Sequence, residues 1–136
     1  MLLGTYSHAL DEKGRVVLPA KFRRDLEEGA VLTKGEDGCL ELFPNETWAE
    51  EVKEILNDDR RRIEVRRRRR LRFGEAHPIT PDKQGRIAIP QELRDFAGMA
   101  AEAEVTLVGV VDRVEIWEPA TWVREAARAE QDAGES

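Results

Sequence analysis

The feature that most constrains this chain is an internal repeat. Asp11 to Arg23 reads DEKGRVVLPAKFR, and Asp82 to Arg94 reads DKQGRIAIPQELR. Gly14 aligns with Gly85, Arg15 with Arg86, Leu18 with Ile89, Pro19 with Pro90, Phe22 with Leu93 and Arg23 with Arg94. Further on, LELFPNETW at Leu40–Trp48 aligns with VEIWEPATW at Val114–Trp122, with three extra residues in the second copy near AGMAAEAEV. The unit is about 45 residues long, and a unit of that size can hardly bury a core alone. Two such units can complete one core between them, so the repeat predicts a pseudo-dimer within a single chain.

Each copy carries the same local signals. Asp-x-x-Gly is turn chemistry: the Asp side chain bonds the backbone just downstream, and Gly takes positive φ. RVVLP and RIAIP are short, alternating and β-branched, which predicts strands. Pro19 and Pro90 stand where a helix begins, since proline suits the first helical position. Phe22 with Leu26, and Leu93 with Phe96 or Ala97, give a one-sided apolar pattern over two turns. Gly29 and Gly98 are candidate stops. AVLTK and CLELF, then EVTLVGV and RVEIWE, predict two further strands per copy, joined by hairpin turns. Each unit therefore reads strand–turn–strand–helix–strand–strand. Trp48, Val52, Ile55 and Leu56 predict a helix after the first unit, with Asn45 as its N-cap. Trp122, Ala126 and Ala129 predict a weaker one after the second, ending in a frayed DAGES.

Composition narrows the setting. The chain has 136 residues, 40% hydrophobic and 37% charged, which suits one domain or two very small ones sharing a core. No apolar run approaches the roughly 18 residues of a membrane span. The N-terminal stretch lacks the basic and apolar regions of a signal peptide. Cys39 is the only cysteine, which excludes an internal disulfide and a multi-thiolate metal site. These features predict a cytoplasmic protein with no membrane partner. The net charge of −6 argues against nucleic acid at first sight, yet Arg60–Arg72 holds nine arginines against one glutamate. Local field rather than net charge governs what a surface attracts.

The two Asp-x-x-Gly-Arg loops, each followed by an apolar pair, Pro and a Phe/Leu-Arg helix, resemble the MraZ family. So do the opening LLGTYSHALDEKGRVVLPAKFR and the VEIWEPATW ending. The resemblance runs from Leu2 to about Trp122. It implies two SpoVT-AbrB domains per chain: an α+β, β-rich fold in which two tandem repeats form one double-split, swapped-hairpin β-barrel with flanking helices. The expected layout is a first repeat at 1–50, a helical arginine-rich linker at 51–72, a second repeat at 73–122, and a C-terminal helix and tail at 123–136. The resemblance further implies a nucleoid-associated transcriptional regulator, acting by repression on its own division and cell-wall gene cluster. Its partners would be repeated boxes in double-stranded promoter DNA and further copies of itself, in an octamer- or dodecamer-like ring. No cofactor and no small-molecule substrate is implied. The family's D-x-x-x-R motif falls on Asp11 with Arg15 and on Asp82 with Arg86. This chain departs from the family in its dense arginine run and in a C-terminal helix that stops early.

Chemistry supplies reasons for the same residues. An arginine beside a tight glycine loop (Gly14, Gly85) projects from a hairpin end, and its planar fork matches guanine O6 and N7. Asp11 and Asp82 either orient Arg15 and Arg86 or simply cap a structural turn. Lys13, Lys83, Lys21, Arg23, Arg24 and Arg94 are candidate phosphate contacts, with a solvated helix face as the alternative for those on the helices. The arginine run either contacts DNA or pairs with the acidic segment before it, or with a neighbouring subunit, as part of a long surface helix. Trp48, Trp117 and Trp122 read as core or interface residues rather than base-stacking platforms. No enzyme is predicted. Ser7, His8 and Asp11 lie in a strand and its turn, His8 and His77 lack a second ligand at metal spacing, and no phosphate-binding glycine loop is present. Two rivals remain open: an antitoxin-like protein-interaction module, whose tail here lacks bulky apolar anchors, and a non-specific nucleoid binder.

Overall fold

The computed structural model describes residues 1–135. The first repeat contributes β1 (Leu2–Ala9), β2 (Arg15–Val17), α1 (Ala20–Leu26), β3 (Ala30–Lys34) and β4 (Leu40–Pro44). Helices α2 (Asn45–Leu56) and α3 (Ile63–Gly74) follow. The second repeat contributes β5 (His77–Ile79), β6 (Arg86–Ala88), α4 (Gln91–Phe96), β7 (Glu104–Val111) and β8 (Val114–Trp117), and α5 (Pro119–Glu135) ends the chain. The fold is α+β, with antiparallel strands and flanking helices. Its six-stranded sheet has the order β1-β7-β8-β4-β3-β5, and β2 and β6 form a separate two-stranded ribbon.

The pairings explain why the chain needs both copies. β1 pairs with β7, β5 with β3, β2 with β6, and β4 with β8. Each of these ladders joins one repeat to the other. Only β3–β4 and β7–β8 are hairpins within a repeat. The buried cluster is correspondingly shared: Val16, Leu18, Phe22, Leu32 and Leu42 from the first copy pack with Ile87, Ile89, Leu93, Leu107 and Ile116 from the second. The three extra residues of the second copy fall in the turn between α4 and β7, where Glu102 takes φ 59°.

Several local expectations shift by a residue or a side. Pro19 and Pro90 are the capping residues of α1 and α4 rather than their first helical residues, because each holds an extended ψ, 140° and 149°. Pro44 does the same for α2, so Asn45 opens that helix instead of capping it. At the end of α4 the capping residue Ala97 packs inward and Phe96 turns out, with the Lys34 ammonium 5.2 Å from its ring centre. On α2 the inward residues are Glu51 and Ile55, while Leu56 is exposed. Trp48 is half-buried against Phe43 and Phe73, and Trp117 is buried against Trp122. Helix α5 continues to Glu135, into the segment expected to fray, whose last residue, Ser136, lies outside the described residues; none of the helix's residues is buried.

The arginine run does not form one continuous helix with α2. The backbone breaks at 57–62, where Asp59 accepts the Arg61 N–H at 3.0 Å, and α3 starts at Ile63. Arg72, the last arginine of the run, is only 1% exposed. Its Nη1 donates to Glu41 Oε1 at 3.0 Å and to the Lys34 carbonyl at 2.8 Å. Its Nη2 donates to Glu41 Oε2 at 3.2 Å and Glu51 Oε2 at 2.8 Å. Arg113, in the β7–β8 turn, reaches the same two carboxylates at 2.8 and 3.0 Å. Two arginines and two glutamates thus tie α3, β4 and α2 to the second repeat. Removing one partner from such a buried pair leaves the others uncompensated, which typically costs about 3–5 kcal/mol. Arg72→Ala is therefore expected to lower the urea midpoint by that order of free energy, whereas Arg70→Ala, on an exposed face of the same helix, should change it by no more than about 0.5 kcal/mol.

Candidate nucleic-acid interface

The two repeat-matched loops fold identically. Asp11 Oδ1 accepts the N–H groups of Lys13 at 2.8 Å and Arg15 at 2.9 Å, and Asp82 Oδ1 accepts those of Gln84 and Arg86, both at 2.9 Å. The second carboxylate oxygen takes the arginine: Arg15 Nε donates to Asp11 Oδ2 at 2.7 Å, and Arg86 Nε to Asp82 Oδ2 at 2.8 Å. Gly14 and Gly85 close the turns at φ 75° and 76°, a region that side chains disfavour. The Asp side chains therefore do two things at once, capping the turn and holding the arginine. Among the described residues Arg15 and Arg86 are anchored only through Nε, which leaves both terminal nitrogens of each available to a ligand.

The loops are also locked to each other. The Leu18 N–H donates to the Gly85 carbonyl at 2.8 Å, and the Ile89 N–H to the Gly14 carbonyl at 2.9 Å. Between these bonds lies the β2–β6 ribbon, with Arg15 opposite Ala88, Val16 opposite Ile87 and Val17 opposite Arg86. Val16 and Ile87 enter the core; the alternating positions Arg15, Val17, Arg86 and Ala88 face outward. One face thus carries both motif arginines, at diagonal corners.

The remaining candidates separate into two groups. Arg23 and Arg94 are also anchored: Arg23 Nε donates to the Leu18 carbonyl and Arg94 Nε to the Ile89 carbonyl, each at 3.0 Å, and Arg94 Nη2 donates to Gln91 Oε1 at 3.0 Å. Each guanidinium then lies across the glycine of the other repeat's loop. A methyl group on Gly14 would stand 2.8 Å from Arg94 Cζ, and one on Gly85 2.8 Å from Arg23 Cζ. These two arginines are buttresses, a role missed in reading the sequence although their repeat-matched positions were a signal for it. Lys13, Lys83, Lys21 and Arg24 are exposed, and their side chains make no hydrogen bond or ion pair among the described residues.

The arginine run is mostly engaged within the chain. Arg68 pairs with Glu36 and with Asp58, Arg61 with Asp59, and Arg62 with Glu64. Arg66 donates to the carbonyls of Arg60 and Arg61, and Arg69 to those of Leu56 and Asp58, at the end of α2. Only Arg60, Arg67 and Arg70 lack such a side-chain partner among the described residues.

Comparison with known proteins decides the family. The model described as "MraZ protein" matches twice, over residues 1–71 and 72–135. The chain belongs to the MraZ family. The double match accords with the repeat, one copy in each half. A relative from Thermomicrobium roseum named "Transcriptional regulator MraZ" is 44% identical, over 99% of this chain and 92% of its own length. Proteins of the same name from Cutibacterium acnes and Salinispora arenicola are 42% and 40% identical, over 96% and 97% of this chain and 91% and 92% of theirs.

Two measurements follow from the loops of this MraZ-family chain. Donation from the Arg15 backbone, then the Arg15 side chain and the Lys13 backbone, lowers the Asp11 carboxyl from 3.8 to about 2. Asp82 is lowered for the same reasons. A depressed folded-state value stabilises above the unfolded value and is lost as pH falls, so the Asp11 contribution is complete above about pH 4 and disappears through pH 2. A carboxyl NMR titration should place Asp11 near 2, and Arg15→Ala should leave it below 3.8, because the peptide donors persist. Gly85→Ala should cost about 2 kcal/mol in urea unfolding, from positive φ together with the Arg23 contact. Adding Arg23→Ala should remove the steric part of that cost and leave the backbone part, which a double-mutant cycle resolves.

Proposed function

We propose that this chain is a sequence-specific DNA-binding transcriptional regulator. The observation that carries the reading is the placement of Arg15 and Arg86 on one outward face of the β2–β6 ribbon, each steered by an aspartate that leaves its terminal nitrogens free. Arginines presented this way fit guanine O6 and N7 in a major groove. Lys13, Lys83, Lys21 and Arg24 serve as phosphate contacts, Asp11 and Asp82 orient the arginines, and Gly14 and Gly85 let the backbone approach. Arg23 and Arg94 act on DNA indirectly, by holding the loops. The regulatory role is supported by the relatives' shared name.

The finer reading follows the family resemblance. The reciprocal strand pairing supports a swapped-hairpin barrel built by the two repeats. The protein represses its own division and cell-wall gene cluster, in the cytoplasm and on the nucleoid, by gripping repeated promoter boxes as an octamer- or dodecamer-like ring. Several loop pairs on one ring raise affinity through effective concentration without any new contact. Among the described residues no helix is long and apolar enough to cross a membrane.

A non-specific nucleoid binder is less favoured, because most of the arginine run is spent on internal partners. An antitoxin-like module, a kinship the family description also mentions, draws on one observation: α5 has no buried residue and so is open to a partner. The deciding experiment is binding to the DNA immediately upstream of its own gene against a scrambled duplex, at two salt concentrations. Wild type should prefer the upstream duplex. Arg15→Ala and Arg86→Ala should each weaken that binding by about tenfold or more while leaving the oligomer intact by light scattering. Equal binding to both duplexes, unaffected by the loop variants and abolished by salt, would replace this reading with the non-specific one.

A further inference from the structure

The ribbon's outward face holds two residues that the arginine reading leaves without a role. Val17 and Ala88 occupy its other two corners, Val17 opposite Arg86 and Ala88 opposite Arg15. Neither is needed for the core, which takes Val16 and Ile87 from the same strands. The bonds from Leu18 to Gly85 and from Ile89 to Gly14 mark the hydrogen-bonded positions of the ladder. The outward pairs are therefore the non-bonded ones, whose Cα atoms approach to about 4.5 Å and whose side chains stand closest together. Each end of the ribbon presents one long arginine tight beside one short apolar side chain.

The dimensions suit a groove floor. Two strands about 4.8 Å apart enter a major groove about 12 Å wide. Strands of three residues each span about 10 Å, or some three base-pair steps. With the arginines reaching base edges, the short side chains between them lie against the same floor. They have neither donor nor acceptor, so the hydrogen-bonding edges of the bases offer them nothing. The one apolar group displayed there is the C5-methyl of thymine. A longer or charged side chain at either corner would hold the ribbon off the bases.

We propose that Val17 and Ala88 are specificity-determining residues, each packing on the methyl group of a thymine beside the base read by its neighbouring arginine. This rests on the reading of the ribbon as the DNA-reading face. Because Val17 is the larger, its thymine is the more strongly required, and the two ends of the ribbon recognise unequal half-sites despite their matched loops.

The test uses the full-length protein and the upstream duplex, with each thymine replaced in turn by deoxyuridine, which deletes only the methyl group. In wild type, replacement at one or two positions should weaken binding about three- to fivefold, the worth of one buried methyl. Val17→Ala should reduce the larger of these sensitivities to the level of the smaller. The exchange variant V17A/A88V keeps the ribbon's volume and should move that sensitivity to the other end of the box. Circular dichroism confirms that both variants are folded, and the wild-type scan needs no variant. Specific binding that depends on Arg15 and Arg86 but responds to no deoxyuridine, or whose response is undiminished in Val17→Ala, overturns this inference and leaves the proposed function standing. Absence of any preference for the upstream duplex overturns both.

Discussion

Everything in this molecule depends on the reciprocal hydrogen bonding between its two repeats. A strand buried without a partner leaves peptide groups unsatisfied, at a cost no small domain can bear. Here β1 finds its partner in β7, β5 in β3, and β2 in β6. None of these pairs exists in an isolated copy. The candidate site inherits the same dependence. The Gly14 and Gly85 carbonyls bond across the repeats, and Arg23 and Arg94 each lie on the other copy's glycine. The spacing of Arg15 from Arg86 is thus set by the core that the two halves share.

Charge is distributed by a different logic from the one composition suggests. Six of the nine arginines in the densest basic segment have partners within the chain, among them Glu36, Asp58, the end of α2 and the buried Glu41 and Glu51. In the loops and on α1, the cations whose side chains have no partner among the described residues are Lys13, Lys83, Lys21 and Arg24. Charges that are paired inside the chain contribute little to the field outside it.

Much of the architecture was legible in the repeat. Asp-x-x-Gly-Arg, the alternating RVVLP and RIAIP, and the Phe22/Leu93 spacing predicted a turn, a strand and a helix in each copy, and those elements are present. What could not be read were the partners. Nothing local marks Arg72 as the one buried arginine among nine, since burial is decided by the approach of β4 and α2. Nor did spacing say that Arg23 and Arg94 would serve as buttresses, because the glycine each covers belongs to the other repeat. The single-residue shifts at Pro19, Pro44 and Pro90 have a simpler origin, an extended ψ that makes each proline the capping residue: the helix starts one position later than expected after Pro19 and Pro90, and one earlier after Pro44.

The sequence by itself determined the local conformations, because turn, strand and helix preferences act over a few residues and appear twice here. It also pointed to two copies sharing one core, because a unit of about 45 residues can hardly bury a core alone. Only the tertiary structure decided which strand pairs with which, which arginines point outward, and that Arg15, Val17, Arg86 and Ala88 share one face. Those outcomes rest on contacts between residues far apart in the chain, where pairing geometry and burial, rather than residue type, choose the partner.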